Sequence, residues 1–326
     1  MLHGGEHGVT LSRKRIRQVK DPMVTILDAD QIRAIEKRIE QVYELPLMPE
    51  LARRILQLQS DPNAGALQLA NIVQLDPSLA AQVIRYASSP FYGYRGRISN
   101  IQDAISRVLG YDLVLNLALG LAAARSFRIP DEGPLGLSRF WEHAILSAVL
   151  MQKIGACMPA ARRPQPGFSY LCGLLHDFGV LLLGHLFLPE FCLLNKFAAA
   201  NPDKTLTELE GRLLGMGGAR DLLAMGHARI GAWLMEAWNM PEAIAITLLE
   251  HHNPDYRGEH EVSVHLVQLS DLLLSRASDL PEPGSLPHVH LGILEVAPDQ
   301  VLELAAQVFE QRAELLTLSA LAARAS

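Results

Sequence analysis

Apolar side chains along this chain recur at helical spacing far more often than they alternate. Ile55 and Leu58, then Leu67, Ala70 and Ile72, then Ile101, Ile105 and Val108 each mark a segment with one face to bury. The start signals agree with that period. Asp76-Pro77 places a capping carboxylate and a first-turn proline ahead of SLAAQVIRYA, Thr205 with Glu208 forms a capping box, and Pro241 opens EAIAITLLEHH. Turn-forming clusters at 60–63, 89–90, 130–134 and 253–255 separate stretches of helix length, and no long alternating β-branched segment is available to seed a sheet. The predicted fold class is all-α.

Along the chain these elements fall into parts. Residues 1–27 form a basic leader carrying Arg13, Lys14, Arg15, Arg17 and Lys20, read as a flexible, solvated tail, with contact to an acidic partner or nucleic acid as the alternative. An amphipathic opening helix spans 28–43, the main body spans 44–258, and 259–326 add further helices with a loop at 281–287. The opening helix and body together make one expected domain, 28–258. Within the last part, 301–325 read as one long terminal helix with Leu304, Val308, Leu315 and Leu318 near one side, suited to capping the body or to pairing with a second copy as a homodimer.

Composition narrows the function classes. At 326 residues and 49% hydrophobic the chain can bury a large core, while a net charge of −6 argues against a general nucleic-acid binder. Cys157, Cys172 and Cys192 lack CxxC spacing and read as reduced, buried thiols of a cytosolic protein. No apolar signal segment occupies the first thirty residues. The most apolar run, Tyr170 to Phe187, is interrupted by His176, Asp177 and His185; in lipid a charged residue there costs roughly 2–3 kcal/mol. It is read as a core helix pair, with no membrane span and a cytoplasmic location expected.

Residues 45–125 then become specific. Leu45-Pro46-Leu47-Met48-Pro49, the Asp76-Pro77 helix start, the turn Phe91-Tyr92-Gly93, and Ala104-Ile105 followed by Leu109-Gly110 resemble the opening half of the bacterial HD-related output domain, HDOD. FWEHA (140–144), GLLHDFG (173–179), GHARIGAWLMEAW (226–238) and MPEAIAITLLEHH (240–252) resemble its remaining blocks, so the likeness covers roughly 45–255. One departure is Ser88-Ser89-Pro90, where the family has Asn-Ser before Phe-Tyr-Gly. The resemblance implies a multi-helix bundle with an N-terminal helical subdomain on an HD-like core. It also implies a non-enzymatic output or adaptor role in bacterial signalling, exerted by binding signalling proteins or a ligand such as a nucleotide. No receiver or GGDEF module lies within the 326 residues, so noncovalent partners are expected to carry the signal. Phe91-Tyr92-Gly93 reads as a tight turn with an aromatic anchor, its functional version being a docking loop.

The parent HD superfamily comprises metal-dependent phosphohydrolases with a His…His-Asp…Asp signature, which the resemblance carries onto His143, His176, Asp177 and Asp271. Imidazole nitrogens and carboxylate oxygens suit a divalent ion such as Fe, Mn, Mg or Zn, which polarises a phosphoryl oxygen and activates water. His176 and Asp177, if helical, point about 100° apart and can bracket one ion. His227 and His251 (or His252) fall where two-metal relatives, the HD-GYP phosphodiesterases, place further histidines. Read alone, His176-Asp177 is a buried polar pair, His143 a core histidine beside Phe140 and Trp141, His227 part of a packed face, and Asp271 a helix cap. Val180 replaces the lysine that catalytic relatives place after His-Asp-x-Gly, and no Gly-Tyr-Pro follows His251-His252. These departures leave the phosphohydrolase reading as the alternative, with no residue assigned a catalytic role. His185, His260, His265, His288 and His290 fit no ligand spacing and are read as surface or ordinary structural residues.

Overall fold

The computed structural model describes residues 45–165, 167–212, 220–276 and 280–323; the expected leader and the helix over 28–43 lie outside them. Among the described residues the structure is helical throughout, with no strand, as the 3.6-residue period requires. The first layer contains α1 (Glu50–Gln59), α2 (Ala66–Val73), α3 (Pro77–Ala87), the short α4 (Ile101–Ala104) and α5 (Tyr111–Ala123). Asp76 caps α3 as predicted: its Oδ1 accepts from the Leu79 N–H at 2.9 Å, and its other oxygen pairs with Arg125. Pro90–Tyr92 is a single 3₁₀ turn whose Tyr92 ring packs 5.4 Å from Tyr86, the aromatic anchor expected of Phe91-Tyr92-Gly93.

The second layer is built on α6 (Leu137–Cys157), flanked by α7 (Phe168–Leu175) and α8 (Phe178–Leu186). Then come α9 (Leu188–Ala200), α10 (Leu206–Arg212), α11 (Arg220–Ala237), α12 (Glu242–Glu250) and α13 (Glu261–Ser275). The predicted capping box opens α10, where the Thr205 N–H donates to Glu208 at 2.9 Å and the Glu208 N–H to Thr205 Oγ1 at 3.3 Å. Two polar ties join the layers: Trp238 Nε1 donates to Pro46 O at 2.8 Å, and the buried hydroxyls of Tyr86 and Tyr170 hydrogen-bond. The apolar run Phe168–Leu186 passes a length-and-composition test for a span, but 83% of its apolar window is buried inside the fold. It is a core helix pair.

Past the body, α14 (His288–Leu294), α15 (Pro298–Glu310) and α16 (Arg312–Ala323) pack back on the core. The single long terminal helix expected over 301–325 is thus two helices, broken at Gln311 (φ −96°, ψ 8°). The break lets α16 lie along α6 and α3, with Leu315 and Leu318 in the core, so the apolar side caps this chain. His265 and His290 are buried rather than on the surface, Nδ1 to Nδ1 at 2.8 Å, and they join α13 to α14.

Two predictions arise from buried titratable groups. Burial, with help from His265 and Arg257, pushes His290 down to about 4. Between the ordinary value of about 6.5 and that value, the unfolded chain binds more protons, so stability falls as pH drops through this window. Urea unfolding across it should show a steeper acid loss for the native chain than for His290→Gln; parallel profiles would contradict the assignment. Among the thiols only Cys172 is buried, Cys157 and Cys192 being half-buried, which corrects the expectation of three buried cysteines. Burial pushes the Cys172 thiol up to about 12, against weaker opposing hydrogen bonds from Thr247 and Ser263. A thiol reagent at about pH 8 should label Cys157 and Cys192 in the native protein and Cys172 only after unfolding. Native labelling of Cys172 at the rate of the other two would overturn this.

Candidate metal centre

His176 and Asp177 occupy the junction between α7 and α8 rather than the interior of a helix. His176 keeps right-handed helical angles (φ −53°, ψ −33°), and Asp177 departs from them (φ −100°, ψ 15°). This bend is what turns the carboxylate into the bundle. His176 Nδ1 lies 2.8 Å from Gly173 O; with the proton on Nδ1 it donates there and leaves the Nε2 lone pair facing the pocket.

Asp177 faces two groups at once. On its Oδ2 side, His143 Nε2 from α6 stands at 3.5 Å and His176 Nε2 at 3.3 Å, and those two nitrogens are 3.1 Å apart. Asp271 Oδ1 completes this group at 3.3 Å from His143 and 3.7 Å from His176. Asp271 lies inside α13, well past its first turn, so the helix-cap reading is corrected: its carboxylate belongs to the cluster. On the Oδ1 side, His227 Nε2 stands at 3.4 Å and His251 Nε2 at 3.6 Å, while His252 Nε2 is 2.9 Å from His227 Nε2. All the sequence-predicted ligand positions therefore converge, with both His251 and His252 at the second group.

Backbone geometry explains the convergence. Gly226, with φ +74° and ψ 157°, breaks α11 just ahead of His227, a conformation open to glycine. The kink turns the His227 N–H onto Glu210 Oε1 at 3.0 Å, and the same carboxylate receives His227 Nδ1 at 3.0 Å. Glu210 is 2% exposed, and sequence reasoning missed it because a glutamate within TELEGR looks like part of a solvated face. Holding the Nδ1 proton on Glu210 aims His227 Nε2 at Asp177. His251 is oriented the same way, its Nδ1 lying 2.6 Å from Leu248 O.

Charge is concentrated here. Burial would push Asp177 up, but His176, His251 and His227 hold it well below the usual carboxylate range. Burial opposes the charged form of His176, yet Asp177 and Asp271 raise it to about 9. His227 is raised by Glu210 against the effect of its burial, whereas His251 and His252 are lowered, chiefly by burial. Among the buried side-chain atoms without a hydrogen-bond partner are two of this cluster, His251 Nε2 and Asp271 Oδ1. Leaving such a group unpaired costs about 1–3 kcal/mol, and both orphans point into the two donor groups. Ligand atoms each about 2.0–2.2 Å from one ion and roughly 90–110° apart lie about 3.0–3.5 Å from each other, the spacing seen here. The residues present fit a divalent metal.

The chain matches the family model of the HDOD domain over residues 45–254. Its structure is similar to that of a protein ascribed to signal transduction in Marinobacter aquaeolei VT8, at 34% identity and TM-score 0.75, covering 90% of this chain and 65% of that one. It is also similar to an HDOD domain protein of unknown function from Geobacter sulfurreducens, at 24% identity and TM-score 0.69, covering 89% and 98%. An uncharacterized protein of Treponema pallidum (strain Nichols) is 24% identical over 275 residues, 82% of this chain. The chain spans about half of that relative, 50%, and 65% of the Marinobacter protein.

Proposed function

We propose that this chain, which belongs to the HDOD family, is a signal-transduction module whose HD-like pocket holds a divalent metal centre and uses it to recognise a ligand rather than for rapid turnover. The observation that carries the reading is Asp177, with one carboxylate oxygen facing His143 and His176 and the other facing His227 and His251. His143, His176 and Asp271 would hold one ion, His227, His251 and His252 a second, with Asp177 between them. The mixed imidazole and carboxylate donors favour Fe, Zn or Mn over Mg. When bound, such an ion polarises a phosphoryl oxygen and acidifies a coordinated water. The chain's own residues do the positioning: Glu210, Gly173 O and Leu248 O fix the imidazoles, and Val180, at 4% exposure, gives the cavity an apolar wall where catalytic relatives carry a lysine. The resemblance of the Marinobacter protein, ascribed to signal transduction, supports the signalling role.

A second reading, metal-dependent phosphohydrolase, is favoured by the complete donor set. The two separate on one sample, by measuring bound metal and hydrolysis of a nucleotide panel, cyclic dinucleotides included, after incubation with Mn²⁺ or Fe²⁺. Losing one well-placed electrostatic contact costs about 10²–10³ in rate, so slow or undetectable turnover is expected. Robust turnover abolished by His176→Ala and by Asp177→Ala would establish the phosphohydrolase instead.

A further inference from the structure

Beside the metal donors lies a cavity of about 360 Å³ whose lining includes His143 and Asp177 together with two arginines, Arg139 and Arg312. We propose that Arg139 and Arg312 form an anion clamp in this cavity that holds the phosphoryl group of a small organic phosphate, whose body rests against Leu135, Val180 and Leu274. The proposal deepens the metal-pocket reading and rests on it only for the location of the ligand. Arg139 precedes His143 by one turn on α6, so both side chains project from one face of that helix. Arg312 opens α16, well past residue 254 where the family match ends, so the C-terminal extension supplies half of the clamp.

Glu142 organises the pair. Its carboxylate accepts from Arg139 Nη1 at 2.7 Å through one oxygen and from Arg312 through the other. Around Glu142 itself the two guanidiniums leave one unbalanced positive charge, while Asp177, also on the lining, faces the metal donors. The Arg139 and Arg312 side chains remain 64% and 42% exposed, and each is tied to Glu142 through a single nitrogen, with further N–H donors to offer. Planar guanidinium donors match the oxygens of a phosphoryl group, and pre-tethering lowers the ordering cost of binding. A cavity of this volume with an apolar wall and few charged groups is of the kind that takes a small organic ligand. The two guanidiniums come from α6 and α16 rather than from the Val180 position on α8, and their ties to Glu142 suit them to holding a bound phosphate. Recognition by the clamp is compatible with either outcome of the hydrolysis test.

The probe is AMP, with adenosine as the uncharged control, titrated calorimetrically into the Mn²⁺-loaded full chain, with bound metal measured on the same samples. AMP should bind at least about tenfold more tightly than adenosine, and Arg139→Ala and Arg312→Ala should each weaken AMP by about tenfold or more, with metal content retained. Because losing Arg312 also unties α16 from α6, Glu142→Gln is the control: it cuts the same tether but frees both charges, so AMP should bind more tightly than to the native chain. Equal affinity for AMP and adenosine, an Arg139→Ala/Arg312→Ala double variant with native AMP affinity, or a Glu142→Gln variant without tighter binding would each overturn the clamp. Arginine-dependent AMP binding by a chain that retains no metal would instead overturn the metal reading and leave the clamp standing.

Discussion

Replacing Gly179 with alanine is expected to lower stability by about 3 kcal/mol or more, since small-to-large changes in a packed core cost about 1–3 kcal/mol even where side chains can yield. Here nothing that can yield is in the way. A Cβ at Gly179 would stand 1.9 Å from His227 O and 2.8 Å from Gly231 N, both backbone atoms of α11. α8 and α11 would have to separate, and because Asp177 lies just before Gly179 and His227 sits at the contact, the second donor group would open with them. Gly231→Ala meets Gly179 N and Leu248 Cδ2 at 3.0 Å and should be milder. Thermal unfolding followed by circular dichroism should show Gly179→Ala melting at least about 5 °C below the native chain, with Gly231→Ala between them. A Gly179→Ala protein that melts with the native one would mean that the helices are not in this contact.

Asp177→Asn should have the largest effect on the site itself. The substitution preserves shape but removes the one carboxylate that both imidazole groups face. Outer contacts to metal ligands alone are worth about 10–100-fold in affinity, so losing a shared ligand should cost at least about 100-fold. Elemental analysis after gel filtration should find Asp177→Asn depleted of metal while its circular dichroism remains native. Asp271→Asn, which touches only the His143 and His176 group, should lose less. Native metal content in Asp177→Asn would show that the ion, if held, lies elsewhere.

The helical class and most helix starts were legible because they depend on local chemistry: Asp76 and Thr205 cap where the sequence placed them. The histidine and aspartate positions were legible through family resemblance, and the structure brings them together. What sequence could not supply was anything fixed by the approach of distant backbones. Glu210 looks solvated until α10 meets the kink at Gly226, and Asp271 looks like a cap until α13 is laid beside α6. The break at Gln311 carries no glycine or proline, so periodicity ran straight through it, hiding the return of α16 and the meeting of Arg312 with Glu142. His265 and His290, 25 residues apart, have no shared spacing signal and meet only through the packing of α14 on α13.

The most direct test of the central claim is the electron paramagnetic resonance spectrum of the full chain reconstituted with Mn²⁺ and freed of excess ion. With Asp177 between two donor groups, about two ions per chain should be retained with a spin-coupled spectrum, and Asp177→Asn should lose the coupling. A chain that retains no Mn²⁺, or that shows only uncoupled ions indifferent to Asp177→Asn, would contradict the account.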